Sequence, residues 1–243
     1  MSTGPRSRTT ALSAKRIVAA VIMSGSVLVP VRGAEIQGTV QIERRLTRPR
    51  VTAAANAYAR GVSVRLHSGL TEDALAFERS HVAIYLDGPV TPKPLTGSVE
   101  QKDRQFFPDM LVVPAGSTVS FPNLDPIFHN VFSLSKAKEF DLGNYPKGRT
   151  RTVTFSKPGI VFVNCHLHAN MAAVILITPN QWSARPGEDG RFRLSDVPPG
   201  TYTIVAWHKA AGFFRQQIIV TEDGAAPVSF FIPLAAQTSE AAQ

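Results

Sequence analysis

The sequence predicts an all-β protein, and three observations predict it. Short runs rich in Val, Ile, Thr and Phe recur along the chain, separated by turn clusters drawn from 18 Pro and 17 Gly. Several runs alternate: in residues 151–155, Val153 and Phe155 share one face while Arg151, Thr152 and Thr154 are polar. No long apolar stripe with a period of about 3.6 residues follows the first 33 residues. A hydrophobic fraction of 44% with 18% charged residues over 243 residues suits a chain with a buried core, not a disordered chain or a coiled coil.

Residues 1–33 read as an export signal. Basic residues up to Arg16 precede an apolar run, 17–31, and the small residue Gly33 follows. That run is interrupted by Ser24, Gly25, Ser26 and Pro30, and it is shorter than the roughly 20 residues needed to span a bilayer. No Arg pair precedes it, so a twin-arginine route is not indicated. The mature protein is expected in a periplasm, with no membrane span after signal removal. The formal charge of +8 owes five of its basic residues to this segment, which has no acid. Without it the chain holds 21 basic and 18 acidic residues, and the local excess at Arg44, Arg45, Arg48, Arg50 and Arg60 lacks interleaved aromatics. Nucleic-acid binding is not expected.

After the signal, residues 35–46 and 61–66 read as strands, with an Ala- and Arg-rich loop or short helix, 47–60, between them. Residues 81–86 form another strand, closed by Asp87-Gly88-Pro89, and the Pro-rich 90–96 is a connection. Strand-like segments then come at sandwich spacing: 106–113, 117–121, 129–134, 150–155, 159–164 and 172–178. A polar stretch, 179–189, leads to a last group of strands at 191–194, 201–207, 214–220 and 228–233, and residues 237–243 read as a disordered tail.

Chemistry concentrates in two places, FPNLDPIFHNVFS (121–133) and VFVNCHLHANM (161–171). An exported chain with a single cysteine has no intrachain disulfide, so Cys165 is unpaired, linked to another chain, or a metal ligand. Cys165, His168 and Met171 sit on a C-x-x-H-x-x-M spacing between two strands, and a sandwich can bring His129 beside them. Two imidazoles, a thiolate and a weak axial thioether are the donors of a blue-copper centre. The competing donor set is zinc held by Cys165, His166, His168 and His129, with Met171 in the core. His67, His81 and His208 read as surface, capping or hydrogen-bonded residues, Met110 as core, and Trp182 and Trp207 as packing groups. Phosphate-loop, dinucleotide, zincin and nucleophile-elbow motifs are absent, and the chain is not expected to be an enzyme.

From about Gln105 to Thr178 the chain resembles the cupredoxins, the small type 1 copper proteins, with a ligand-loop spacing like that of amicyanin. The matching residues are Phe107-Pro108, the 112–116 turn, Val119-Ser120-Phe121, Asn123, Asp125, His129-Asn130, Pro158-Gly159 and Cys165, His168 and Met171. The resemblance implies a Greek-key β-sandwich over 97–179 and one type 1 copper per chain. His129 would be the upstream imidazole, Cys165 the thiolate, His168 the second imidazole and electron exit, and Met171 the axial thioether. Asn130 would pin the ligand loop by hydrogen bonds. It further implies transient transfer of electrons between redox partners, a periplasmic dehydrogenase or a c-type cytochrome. His166, Leu167, Asn164 and Ala169 depart from the family pattern, which bears on the potential and the electron path.

The segment DGRFRLSDVPPGTYTIVAWH (189–208) resembles the carboxypeptidase regulatory-like, transthyretin-type β-sandwich, as in periplasmic methylamine-utilization-type proteins. Its usual opening strands resemble Gly38–Val40 and Val82–Leu86. A second small sandwich built from 34–96 and 180–236, with the cupredoxin-like segment inserted, is therefore expected. The alternatives in function are a non-redox copper carrier or sensor, and a carbohydrate- or protein-binding module.

Overall fold

The structure is a computed structural model, and it describes residues 1, 4, 33–47, 72–88 and 92–233. The export signal, the strand expected at 61–66, most of the 47–60 stretch, His67 and the tail lie outside the described residues. Among the described residues no helix is long and apolar enough to cross a membrane.

The described residues are all-β apart from one short helix. In order come β1 (Ala34–Gln41), α1 (Glu72–Ser80), β2 (Val82–Asp87), β3 (Thr96–Ser98), β4 (Glu100–Lys102), β5 (Gln105–Phe107), β6 (Met110–Pro114), β7 (Ser117–Pro122) and β8 (His129–Ser135). Then follow β9 (Lys138–Tyr145), β10 (Thr150–Phe155), β11 (Gly159–Asn164), β12 (Ala172–Thr178), β13 (Ser183–Ala184), β14 (Arg191–Val197), β15 (Gly200–His208), β16 (Gly212–Val220) and β17 (Val228–Phe231).

The middle of the chain forms one sandwich: a five-stranded sheet, β6-β12-β11-β8-β9, faces a three-stranded sheet, β10-β7-β3. Alternation sets its inner faces, as the strand rule requires. Val119 and Phe121 of β7 meet Val161 and Val163 of β11 in one core, with Val131, Phe155 and Ile175. The 112–116 turn works because Gly116 has φ +86 and a Cβ there would stand 2.8 Å from the Pro94 ring.

The flanking segments build two further sheets, β14-β1-β17 and β13-β2-β15-β16. β1, from before the middle sandwich, lies antiparallel to β14 and parallel to β17, both from after it. β2 lies between β13 and β15 in the same way. Ile36, Ile84, Leu86, Trp182, Phe192, Ile204 and Phe230 share the core between these sheets. Gly38 is required by contact: a Cβ there would lie 2.3 Å from the Phe192 ring and 2.5 Å from the Val228 carbonyl.

The outer face of the five-stranded sheet meets the second sandwich through Met110, Val174 and Leu176 on one side and Ala83 and Trp207 on the other. Polar ties cross the same junction. Arg185 donates to the Ser80 carbonyl through Nε and Nη2 (2.9 and 2.6 Å) and to the Met110 carbonyl through Nη1 (3.1 Å). His81 Nε2 meets Asp109 Oδ1 at 3.1 Å.

Several expectations need correction. The segment 72–80 is helical, although no helical stripe was expected after the signal. Its one fully buried described side chain is Glu78, so it carries no apolar stripe to read. His208 is fully buried, so its surface alternative falls and the hydrogen-bonded one holds: its Nδ1 accepts from the Ala210 N–H at 3.2 Å, and its Nε2 lies 3.1 Å from Glu78 Oε2 as an electrostatic contact. The strand expected at 106–113 is two, β5 and β6, because Pro108 interrupts it. β9 was missed: its Lys138, Glu139, Asp141 and Asn144 mark a solvated edge strand, and Phe140 and Leu142 held the readable alternation. The first strand stops at Gln41 instead of residue 46.

Candidate metal centre

Three predicted donors converge at one end of the middle sandwich. His129 opens β8, Cys165 directly follows β11, and His168 lies on the short loop that ends at Met171, just before β12. His129 Nδ1 and His168 Nδ1 are 3.1 Å apart, Cys165 Sγ lies 3.8 Å from His168 Nδ1, and the three donor atoms all fall within 4.8 Å of one another. The 3.1 and 3.8 Å gaps are shorter than two metal–ligand bonds of roughly 2.0 Å to nitrogen and 2.3 Å to sulfur laid end to end. The 4.8 Å bound on the third exceeds that span by a few tenths of an ångström, so a small inward shift would bring all three atoms onto one ion.

The backbone explains the convergence. Asn123, fully buried, donates from Nδ2 to the carbonyls of Ile127 and Tyr145 and accepts from the Asp125 N–H, which shapes the loop ahead of His129. Tyr145 OH donates to the Phe121 carbonyl and accepts from Gln101, and burial pushes its phenol up to about 12. The Met171 N–H donates to the His168 carbonyl at 2.9 Å and closes the Cys165-to-Met171 loop. Met171 is buried to 1% exposure in the same core cluster as Cys165.

Asn130 ties the two segments together. Its N–H points at Cys165 Sγ at 3.5 Å, its Oδ1 accepts from the His166 N–H at 3.4 Å, and its Nδ2 donates to Asp141 at 2.6 Å. His166 does not join the cluster. Its ring stacks on Phe132 with centroids 3.7 Å apart, and its Nε2 lies 3.7 Å from Asp141, more than half exposed. The four-donor zinc arrangement with His166 is therefore not the one that the fold assembles.

The role of Asp125 was not read from the sequence, although the residue belongs to the quoted pattern. Asp125 Oδ2 accepts from His129 Nε2 at 2.7 Å, and the pair is buried. Asp125 itself accepts from the N–H groups of Asp103 and Arg104 at 2.7 and 2.9 Å, two left-handed residues at the tip of the β4–β5 hairpin. Burial pushes the Asp125 carboxyl up, but the Arg104 N–H, His129 and the Asp103 N–H outweigh it and hold the group below the ordinary carboxylate value. A carboxylate on Nε2 fixes the His129 proton there and leaves the Nδ1 lone pair for the cluster. Burial, then the neighbouring His129 and Arg104, lower the His168 pKa. Replacement Asp125→Ala is expected to weaken copper binding about 10- to 100-fold in a competition titration. An unchanged affinity would show that the carboxylate does not orient His129.

No protein-family model and no curated protein matches the sequence. Solved structures do match in part. A copper-containing nitrite reductase from Thermus scotoductus SA-01 is 25% identical over 38% of this chain, with a TM-score of 0.33, and the match spans only 24% of the reductase chain. A purple cupredoxin from Nitrosopumilus maritimus is 19% identical over 34% of this chain and 99% of its own, with a TM-score of 0.31. Amicyanin from Paracoccus versutus is 20% identical over 38% of this chain and 86% of its own, with a TM-score of 0.32.

Proposed function

We propose that this protein is an exported, single-copper electron carrier of the cupredoxin kind. The observation that carries the reading is the convergence of His129 Nδ1, Cys165 Sγ and His168 Nδ1, with the far nitrogen of His129 held by a buried carboxylate. Copper bound there would supply a one-electron Cu(II)/Cu(I) couple. His129 Nδ1 and His168 Nδ1 would be the imidazole donors, and the Cys165 thiolate would be the soft donor. Asn130 directs its N–H at the sulfur, which favours the thiolate charge, and Asp125 and Asn130 keep the donors from moving as charge changes. Met171, whose backbone N–H closes the loop, would supply the weak thioether donor.

His168 is the proposed electron exit. It is half-buried, and Leu124, Phe128 and Leu167 are exposed in the segments beside it. An apolar surface of that kind suits a small, short-lived interface with a redox protein in a periplasm, such as a dehydrogenase or a c-type cytochrome. The flanking sandwich, 34–96 with 180–236, is read as a carboxypeptidase regulatory-like unit into which 97–179 are inserted. The support for that is the pairing of β1 with β14 and β17 and of β2 with β13 and β15.

Stopped-flow mixing of the copper-loaded chain with a small one-electron dye tests the carrier role. Exchange at about 10⁵ M⁻¹ s⁻¹ or faster is expected; a copper-loaded chain that does not exchange would be a carrier or sensor of the metal. Replacement Met171→Leu is expected to keep the colour and raise the potential, because a donor that favours Cu(II) is lost. An unchanged potential would remove Met171 from the axial position.

A further inference from the structure

Most sheet edges among the described residues are guarded against pairing with another chain. β9 carries Lys138, Glu139 and Asp141, and its pairing with β8 is irregular between Asn130 and Phe132. β14 carries Arg191, Arg193 and Asp196, and β10 carries Arg151. β6 runs for five residues onto Pro114. The others are short: β13 has two residues, β3 three and β17 four. Charge, bulges, proline and shortness are the usual devices that blunt an edge.

β16 has none of them. It is the outer strand of the sheet β13-β2-β15-β16 and pairs with β15 at all nine of its residues, Gly212 to Val220, in one unbroken register. Among the described residues no strand or bridge pairs with its other side. Its sequence, GFFRQQIIV, holds one charge and no proline. At about 3.4 Å per residue it leaves an open edge of roughly 30 Å. Phe214, Ile218 and Val220 face the core of the flanking sandwich. Alternation therefore turns Phe213 and Ile219 outward, where they are 41% and 70% exposed.

The hydropathy of this strand is palindromic about Gln216. Phe213-Phe214 precede the polar Arg215-Gln216-Gln217, and Ile218-Ile219 follow. A second copy of β16, antiparallel and related by a two-fold axis at Gln216, sets Phe213 opposite Ile219, Phe214 opposite Ile218 and Arg215 opposite Gln217. Each apolar residue then meets an apolar one on the same face, and each guanidinium meets a neutral amide. The neighbouring registers that keep the faces matched are worse. An axis at Arg215 opposes two like charges, and an axis at Gln217 sets Arg215 against Ile219. The Arg215 guanidinium already lies over the Phe213 ring of its own strand, 4.8 Å from the centre. A two-fold contact of this kind uses the same edge on both copies and closes at two.

We propose that β16 is a dimerisation edge, where two copies of this chain pair β16 with β16 about Gln216 and join two four-stranded sheets into one of eight. The proposal stands independently of the copper reading, and its test needs no metal. Sedimentation velocity and equilibrium runs on the purified chain, from about 1 to about 300 µM, read the association. A strip one strand wide is smaller than a standard interface, so a reversible monomer–dimer equilibrium with a Kd of about 10 µM is expected. Gln217→Glu places a carboxylate opposite each Arg215 across the axis and is expected to tighten the dimer about tenfold. Gln217→Lys places like charges opposite each other there and is expected to loosen it about tenfold. Both variants change one exposed side chain, so the melting temperature of the dilute monomer should match the wild type. A chain that stays monomeric throughout the range, two variants of equal dimer Kd, or growth into larger oligomers would each overturn the proposal.

Discussion

Replacement Cys165→Ser is expected to abolish the intense visible absorption of the copper-loaded chain and to leave a pale, weakly bound copper. The strong band requires a thiolate bonded to Cu(II), and a serine hydroxyl stays protonated and is a poor donor to soft copper. The loss of affinity should exceed the roughly 10- to 100-fold effect of an outer residue such as Asp125. The fold should survive. Cys165 is 5% exposed in the core, the change is one atom, and the buried hydroxyl can still accept from the Asn130 N–H. The cost in stability should be about 1 kcal/mol. Circular dichroism and a copper titration on the same sample check both halves. A folded variant that keeps the band would show that Cys165 is not the sulfur donor.

The second large effect is expected at Glu78, far from the metal. Its carboxylate is fully buried, accepts three hydrogen bonds from Leu46 and Thr47, and faces His208 across 3.1 Å. Removal of one member of such a buried pair typically costs about 3–5 kcal/mol, because the partner groups stay buried without compensation. Glu78→Ala should therefore lower the denaturation midpoint strongly with little change in the visible spectrum of the copper form. Acid should act in the same direction. Burial raises the Glu78 pKa, but the Thr47 and Leu46 bonds and His208 outweigh it, so the folded value lies below the ordinary 4.5. Its stabilisation is complete above that value and is lost as pH falls through the folded one. Burial lowers the His208 pKa below 6.5, so the unfolded chain takes up that proton first and stability already declines as pH drops under 6.5. Denaturant melts between neutral and acid pH check the slope. Glu78→Ala should remove the carboxyl part, below the ordinary 4.5, and steepen the part under 6.5, because His208 without its carboxylate is harder to protonate. A wild-type slope in the variant would contradict the role of the pair.

The donors were legible because each lies at a strand end on a short segment. His129 opens β8 and Cys165 follows β11, so local pattern put Cys165 at a sheet end, and the resemblance to the cupredoxins supplied His129 as its neighbour. Asp125 was visible as a residue but not as a partner: its acceptor role depends on Asp103 and Arg104, whose left-handed turn is a hairpin about twenty residues upstream. The strands at 117–121, 159–164 and 172–178 were readable from Val, Ile and Phe in alternating or continuous runs. Helix α1 was not, because its inward residue is a carboxylate paired with a histidine 130 positions away. A pairing of that kind leaves no periodic trace. Edge strand β9 hides for a related reason: charge along its open side masks the Phe140 and Leu142 alternation.

The most direct test of the copper reading is a titration of the purified chain with Cu(II), followed by visible and electron paramagnetic resonance spectra. The account predicts an intense blue or green band and narrow copper hyperfine splitting, both saturating at one equivalent. A pale copper signal with wide splitting, or displacement of copper by an equal amount of zinc, would contradict it.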